Sequence, residues 1–243
     1  MKYSNIVKGT FVSRPNRFVA NVIIDNRPVL AHVKNTGRCR ELLVPGATLY
    51  LEDYETNMRQ RKLRYSIINV EKKVNWVDSG SLLVNMDSLA PNVIVREALL
   101  SGMIQLPGFE TNELKLTSEK TYGKSRFDFF IEQGEEQGFI EVKGVTLEEG
   151  GFTMFPDAPT ERGLKHVEEL ISAKEAGYQA FIIFVLQMEG VLEFSPNDLM
   201  HREFGDALRN AAEKGVLPLA FDCKVGINSL HIYRKVKIRL HNM

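Results

Sequence analysis

The chain has very little cysteine and no long apolar run. Cys39 and Cys223 are the only 2 cysteines in 243 residues, too few and too far apart for a disulfide framework or a cysteine metal site, so both are expected to be small buried residues. The longest apolar run, residues 180–186, is far shorter than the roughly 20 residues that a membrane helix needs. No apolar signal-peptide core follows Met1. These absences argue against a membrane protein and predict a cytoplasmic one.

Net charge is absent as well, but the charges are segregated along the chain. Residues 1–75 carry 14 Lys and Arg against 6 Asp and Glu, whereas the remainder carries 17 against 25. The first part is therefore at +8 and the rest at −8. Such an asymmetry favours a basic binding surface in the first part, although basic loops that merely fall early would give the same count.

The basic part shows short apolar runs separated by turns. The runs lie at residues 18–24, 29–33, 42–44, 48–51 and 65–71, and Asn, Gly and Pro fill the turns between them. This many short strands within about 80 residues predicts a small closed barrel of the oligonucleotide-binding (OB) type, which binds single strands on one strand face and its loops. The predicted OB-like barrel domain spans residues 1–84.

The candidate nucleic-acid contacts of this part are polar and basic side chains in its loops. The first group is Arg14, Arg17, His32, Lys34, Asn35, Thr36, Arg38 and Arg40, and a later group is Arg59, Arg61, Lys62 and Arg64. A well-formed turn is a sufficient explanation for His32, Asn35 and Thr36. Phe11, Phe18 and Tyr65 are either stacking surfaces for bases or barrel core, and the apolar run around Phe18 favours the core.

A different pattern follows the polar and small residues at positions 76–91. It predicts, in order, a helix at 91–100, strands at 113–122, 125–131 and 139–145, a helix at 160–176 and a buried strand at 180–186. The fold class is therefore α/β (α+β), with an αβββαβ order like the core of restriction endonucleases. This second domain is predicted over residues 85–243.

Two acidic residues and a lysine carry the main chemical signal. Asp128 and Glu141 lie equally far from the turn midpoint between Gly134 and Glu135, so a symmetric hairpin would place the two carboxylates opposite each other. Opposed like charges need neutralising, and Mg²⁺ is typically held by one or two carboxylates plus phosphate oxygens. Lys143 shares a strand face with Glu141. A solvated hairpin face, with Lys143 in a weak surface ion pair, would show the same pattern.

Alternation along the strand that carries Asp128 also predicts its two faces. One face would hold Arg126, Asp128 and Phe130, and the other Phe127, Phe129 and Ile131.

These elements resemble known proteins. Asp128 followed by Glu141-Val142-Lys143 is similar to the PD-(D/E)xK nuclease superfamily. Four longer motifs resemble the bacterial and archaeal sugar fermentation stimulation protein A family, and they are HVKNTGR at 32–38, SRFDF at 125–129, EVKGVTL at 141–147 and FPDAPTERGLKH at 155–166. The resemblance runs from about residue 17 to the region of Cys223. It implies an N-terminal OB-like barrel, a C-terminal nuclease-like domain, DNA binding and a regulatory role in sugar metabolism.

The nuclease pattern implies roles for particular residues. Asp128 and Glu141 would bind Mg²⁺ (or Mn²⁺) with the carbonyl of Val142, and Lys143 would position a water or stabilise phosphate charge. Glu97 on the first helix is a candidate further catalytic carboxylate, although a solvent-facing helix position explains it equally well. The implied DNA contacts of this domain are Ser125, Arg126, Thr160, Arg162 and His166.

Three functions stay open at this stage. The first is a metal-dependent DNA phosphodiesterase, since a chain that only binds DNA has no chemical need for opposed acids beside a lysine. The second is a non-catalytic DNA-binding regulator of sugar (maltose-type) metabolism genes, although no helix-turn-helix pattern supports operator recognition. The third is an RNA-related or protein-interaction module. Symmetric cutting of two strands would favour a homodimer.

Overall fold

The computed structural model describes residues 1–35, 37–58 and 61–241, and its N-terminal part is a closed barrel. The strands are β1 (Ile6–Asn16), β2 (Val19–Ile24), β3 (Arg27–Val33), β4 (Thr48–Asp53), β5 (Tyr65–Lys73) and β6 (Ser81–Asn85). Their order is β3-β2-β1-β4-β5-β6, and a parallel pairing of β3 with β5 closes the ring. The predicted OB-like barrel is confirmed, with β6 added beside β5.

Three details of the barrel differ from the prediction. Strand β1 was not predicted, because lysine, glycine and proline interrupt its apolar pattern and its pairing with β2 shifts register twice. The run at 42–44 is not a strand: the amides of Leu42 and Leu43 both hydrogen-bond the carbonyl of Cys39, which makes a tight buried turn. Positions 76–91 contain strand β6, so they are not only an interruption.

The C-terminal part is built on a mixed six-stranded sheet. Its order is β15-β14-β12-β9-β8-β7, in which β9, β12 and β14 run parallel. The strands are β7 (Lys115–Tyr122), β8 (Ser125–Gln133), β9 (Glu136–Val145), β12 (Gln179–Leu186), β14 (Leu217–Gly226) and β15 (Ser229–Lys235). A small second sheet contains β10 (Glu148–Glu149), β11 (Phe152–Phe155), β13 (Glu193–Pro196) and β16 (Lys237–Ile238).

Helices cover both faces of the large sheet. Helix α1 (Ala90–Leu100) packs on one face, and α2 (Glu161–Glu175) and α3 (Arg202–Glu213) pack on the other. The predicted order of helix, three strands, helix and strand is confirmed, with β10 and β11 inserted before α2. No helix within the described residues is both long and apolar enough to cross a membrane.

The N-terminus of α2 lies where the sequence predicted it. The Oγ1 of Thr160 accepts a hydrogen bond of 3.0 Å from the amide of Gly163, which is the N-cap arrangement. Buried residues at helical spacing then fix the helix on the sheet, among them His166, Val167 and Leu170. This packing aims the first two turns of α2 at the end of β9.

Candidate active site

The site lies where β8 and β9 separate. Their ladder runs from the turn pair Gln133 and Glu136 to the pair Phe129 and Ile140, which is the register predicted by a turn at Gly134 and Glu135. One step further, where Asp128 and Glu141 would pair, the backbone ladder has ended. The Oδ2 of Asp128 accepts the amide hydrogen of Val142 at 2.8 Å. We call this point, where β8 and β9 separate, the fork. Here the carboxylate of Asp128 accepts the hydrogen bond that a backbone carbonyl of the partner strand would accept in a continuous ladder.

Asp128 is fixed from a second side by helix α1. The Nδ2 of Asn92 donates to its Oδ1 at 2.7 Å. Because the N–H and C=O of one strand residue point to the same edge of the strand, the carbonyl of Val142 points toward the same gap as its amide. Asp128 and this carbonyl, both predicted metal ligands, therefore face the fork together.

Glu141 is buried, with 3% of its surface exposed. Its Oε1 contacts the Nζ of Lys143 at 2.5 Å and the Nδ1 of His166 at 2.5 Å. The Nε of Arg162 donates to the other ring nitrogen of His166 at 3.4 Å, which assigns the ring proton to Nδ1 and makes His166 a donor to Glu141. The structure thus brings Glu141, Lys143 and His166 together.

The pKa values of the two carboxylates are shifted in opposite directions. Burial, followed by the negative charge of Glu141, raises the pKa of Asp128 above its ordinary value. Burial also raises the pKa of Glu141, but the hydrogen bond from His166 and the charge of Lys143 outweigh it and leave that pKa below its ordinary value. The charge of Glu141 is therefore better compensated than the charge of Asp128.

The donors fit a divalent cation of the oxygen-binding kind. The Oε2 of Glu141 is buried and has no hydrogen-bond partner within the described residues, which costs free energy unless another group satisfies it. No set of 3 or more His, Cys, Asp or Glu side chains suited to a metal occurs among those residues. A cation here would thus be held by Asp128, Glu141 and the carbonyl of Val142, with water or phosphate oxygens completing its shell, as is common for Mg²⁺.

The faces predicted for β8 are correct for Phe129, Phe130 and Ile131 and wrong for Phe127. Phe127 and Phe130 pack together under α2 around Phe139, whereas Phe129 and Ile131 pack under α1. Regular alternation fails at Asp128, where the ladder to β9 ends and the facing residue of β7, Glu119, has a φ of 58°. The irregular backbone places the Asp128 carboxylate in the fork rather than on a flat face.

Glu97 is not brought to the site. Its carboxylate binds the N-terminal ammonium of Met1 at 2.7 Å, beside β15. The α1 residue that reaches Asp128 is Asn92, which sequence reasoning missed. Its position in the first helical turn, directly after Pro91, was the available signal, because that turn lies at the end of the sheet where β9 carries its acid.

Four of the predicted DNA contacts line one cavity beside Glu141. We call it the cation cavity because cationic side chains line it. It has a volume of 450 Å³, and its lining residues are Lys124, Ser125, Arg126, Glu161, Arg162, Lys165 and His166. The Oγ of Ser125 is buried there without a partner within the described residues. Lys124 and Lys165 add cations that were not predicted as contacts. Thr160, the fifth predicted contact, is the N-cap of α2.

Several predicted contacts of the barrel point inward instead. The guanidinium of Arg14 donates to the carbonyls of Arg17, Asn35, Gly37 and Arg38 at 2.7–2.9 Å. Lys34 forms an ion pair with Asp87 that is largely buried. The Oδ1 of Asn35 accepts the amide hydrogen of Gly37 at 2.8 Å, so the turn alternative is confirmed for Asn35. Arg14 and Lys34 therefore support the loop rather than face solvent.

Other barrel residues remain available to a ligand. Phe11 is buried, but Phe18 is 44% exposed, so the prediction that Phe18 is core was wrong. Arg17 lies over the ring of Phe18 with its guanidinium carbon 4.8 Å from the centroid. Beside Phe18 is a second cavity, of 340 Å³, lined by His32, Arg61 and Lys62 among others.

The remaining predicted contacts divide into three groups. Arg38 and Arg40 are exposed, Arg64 is bound by the carboxylates of Asp53 and Glu55, and Thr36 and Arg59 lie outside the described residues. Burial, and then the charges of Arg61 and Lys34, lower the pKa of His32, so its ring is neutral at pH 7.

Comparison with known proteins gives matches over nearly the whole chain. The model of the "Sugar fermentation stimulation protein RE domain" matches residues 89–229, and that of the "SfsA N-terminal OB domain" matches residues 12–78. A sugar fermentation stimulation protein homolog of Desulfitobacterium hafniense is 48% identical over 240 residues, covering 99% of both chains. The homolog of Ruminiclostridium cellulolyticum is also 48% identical, covering 99% of this chain and 100% of that one.

A solved structure is similar as well. The structure of Pyrococcus furiosus SfsA in complex with Ca²⁺ has a TM-score of 0.83 and 26% sequence identity, and the match covers 98% of both chains.

Proposed function

The chain belongs to the sugar fermentation stimulation protein family, and from that premise we propose that it binds DNA and hydrolyses its phosphodiester bonds with Mg²⁺ or Mn²⁺. The observation that carries this proposal is the buried oxygen Oε2 of Glu141, which has no partner in the described residues, in a carboxylate whose charge acts on Asp128 at the fork. Stability alone does not explain such an arrangement, because burying an unsatisfied carboxylate oxygen is costly. A cation would satisfy it.

A cation bound at the fork would lower the pKa of a bound water and neutralise charge on the scissile phosphate. The related Pyrococcus furiosus protein was solved in complex with Ca²⁺, another cation that takes oxygen ligands. Lys143, 13% exposed and held by Glu141, supplies a fixed positive charge at the site. His166 contacts the same oxygen of Glu141, Oε1, and helps to fix the orientation of its carboxylate.

The surroundings suit a polyanion. Lys124, Arg126, Arg162 and Lys165 line the cation cavity, and cationic side chains of this kind hold phosphate oxygens and set the register of the bound strand. The exposed ring of Phe18 under Arg17 suits stacking of a base at some distance from the fork. A protein acting on cellular DNA in this way would do so in the cytoplasm.

A second function has its own supporting observation. Lys143 and His166 already provide two donors to Glu141, so much of its buried charge is compensated without a metal. A non-catalytic DNA-binding regulator of sugar-metabolism genes could retain the cluster as a structural element. Metal-dependent turnover separates the two functions.

The test is cleavage of end-labelled single-stranded, duplex and supercoiled DNA with Mg²⁺, Mn²⁺ or EDTA, with DNA binding measured in parallel. Asp128→Asn and Lys143→Met should each reduce metal-dependent cutting by at least about a hundredfold, the scale on which a positioned charge acts in catalysis, and should retain binding. Glu97→Gln is the matched control, since it neutralises a carboxylate that lies beside Met1 and should leave cutting unchanged. Tight binding without cutting under every metal would favour the regulator.

A further inference from the structure

A cavity of 320 Å³ lies between the barrel and the C-terminal domain. Its walls come from the barrel loop (Asn35 and Gly37), from Ser88 before α1, from the segment that follows β9, and from the segment that leads into α2. It therefore lies at the carboxyl end of the parallel strand β9, the place where open α/β sheets commonly bind ligands. We call it the interdomain cavity.

The walls of the interdomain cavity are held in place. Arg14 binds four carbonyls of the neighbouring barrel loops, and the Oγ of Ser88 donates to the carbonyl of Lys34 at 2.6 Å. The Nε2 of Gln187 donates to Asn85 at 2.9 Å and to the carbonyl of Asp87 at 3.1 Å. Preformed walls reduce the ordering cost of binding a ligand.

The lining is polar but carries no positive charge. Among the described lining residues there is no Lys, Arg or His, so the cavity suits an uncharged polar group better than a phosphate. Asp157 is the one charged side chain among the lining residues that the structure describes. No hydrogen bond or ion pair to Asp157 occurs within the described part of the chain, and a Cβ added at Gly37 would collide with its Oδ2. An ionised carboxylate only accepts hydrogen bonds, so it selects N–H donors.

The interdomain cavity lies close to the fork. Gly144 lines the cavity, and it lies three residue steps along β9 from Glu141, a distance of about 10 Å. The cation cavity lies on the other side of the first turn of α2, since Thr160 lines one cavity and Glu161 and Arg162 line the other. A DNA strand that crosses the first turn of α2 would place its phosphates at the cation cavity and a neighbouring base at the interdomain cavity.

We propose that the interdomain cavity receives one unpaired nucleobase next to the phosphate bound at the fork, and that Asp157 accepts a hydrogen bond from its exocyclic amino group. This inference rests on the proposed function and names its substrate: a single strand, or a nucleotide extruded from a duplex as base-modifying enzymes do. Cytosine, adenine and guanine carry such an amino group, whereas thymine has no amino group and offers only its ring N3–H, which is flanked by two carbonyl oxygens that the carboxylate repels.

The probes are fluorescent single-stranded octathymidylates in which one position at a time is changed to cytosine, and their binding is measured in EDTA so that no cutting occurs. One substituted position should raise the affinity of the wild-type protein about tenfold, within the range of a good base contact. Asp157→Asn, whose amide both donates and accepts, should remove that preference. Glu168→Gln, an exposed carboxylate on α2, is the charge-matched control and should keep it.

Gly37→Ala provides a second variant, because its new Cβ must displace the carboxylate of Asp157 and should abolish the same preference. Equal affinity for all octamers, or a cytosine preference that survives Asp157→Asn, overturns the base site while metal-dependent cutting of DNA would still support the nuclease. A protein that cuts duplex DNA but binds no octamer likewise overturns the base site. No binding and no cutting of any DNA overturns both proposals.

Discussion

At the scale of single residues, the two acids of the fork are unequal. Glu141 has a lysine and a histidine as donors, whereas the donors to Asp128 within the described residues are a backbone amide and the side chain of Asn92. The raised pKa of Asp128 means that the folded protein without metal binds its proton more tightly than the unfolded chain does. Asp128 therefore favours folding at low pH, and this contribution is lost as the pH rises through its folded pKa.

The variant Asp128→Asn keeps the shape of the side chain and removes the charge. In EDTA at neutral pH it should melt at a higher temperature than the wild type, and the difference should shrink as the pH falls through the raised folded pKa of Asp128 toward the ordinary carboxyl value. Thermal unfolding without metal measures this between about pH 4, which is near the ordinary Asp pKa, and about pH 8, which is above the ordinary His pKa.

Added Mn²⁺ should reverse that order, because only the wild type gains stability from binding the cation. Glu97→Gln is again the control and should show no such pH-dependent gain. A variant that is less stable than the wild type at every pH would contradict the charge argument.

Residue positions in the fork were partly predictable from sequence. Counting from the turn at Gly134 and Glu135 predicted the register that brings Asp128 level with Glu141. Glu97 was misassigned and Asn92 was missed, because the side chain that a helix presents to a site depends on how the helix is rotated in the fold. That rotation is decided by the apolar residues under α1, such as Ile94 and Leu99.

At the scale of elements, α2 supplies residues to both cavities, so its first turn must be well formed. Thr160→Ala removes the N-cap oxygen and should lower the free energy of unfolding by about 1 kcal/mol. Thr160→Ser retains a capping hydroxyl and should cost only a small part of that. Denaturant unfolding compares the two variants directly. Equal losses of free energy would show that the methyl group of Thr160 contributes more than its capping oxygen. That methyl group lies so close to Gly163 that a Cβ added there would meet it at 2.8 Å.

Elements with a clear period were predicted, and those without one were not. Helix α2 has strong apolar periodicity and strand β12 is a continuous apolar run, and both were predicted to within a residue or two. Strand β1 was missed because its neighbours in the barrel, rather than its own pattern, stabilise it. The run at 42–44 was misassigned because an apolar triplet fits a buried turn as well as a strand.

At the scale of the whole molecule, the barrel and the C-terminal domain share a core. One continuous cluster of buried residues includes Phe11 and Leu49 of the barrel together with Phe127 and Leu170 of the other domain. Buried polar contacts also cross the junction, among them the pair of Lys34 with Asp87 and the bond from Gln187 to Asn85. Separate unfolding of either part would expose this shared surface.

The chain should therefore unfold in one cooperative transition despite its two families of elements. A calorimetric scan should give a single peak whose calorimetric and van't Hoff enthalpies agree. Lys34→Met, which leaves Asp87 buried without its partner, should lower the midpoint without splitting the peak, whereas Lys62→Met, at an exposed position, should leave it unchanged. Two resolved transitions in the wild type would mean that the shared core contributes little to either part.

The sequence by itself determined the segregation of charge, the OB-like barrel, the order of helices and strands around the fork, and the register of the hairpin. These properties follow from turn chemistry and from apolar periods of two and 3.6, which act between near neighbours in the chain. Only the tertiary structure decided that Arg14 and Lys34 support a loop, that Asn92 rather than Glu97 holds Asp128, and that a polar cavity lies between the domains. Each of these depends on contacts between distant segments, and the direction of a polar side chain is set by the partner that burial leaves within reach.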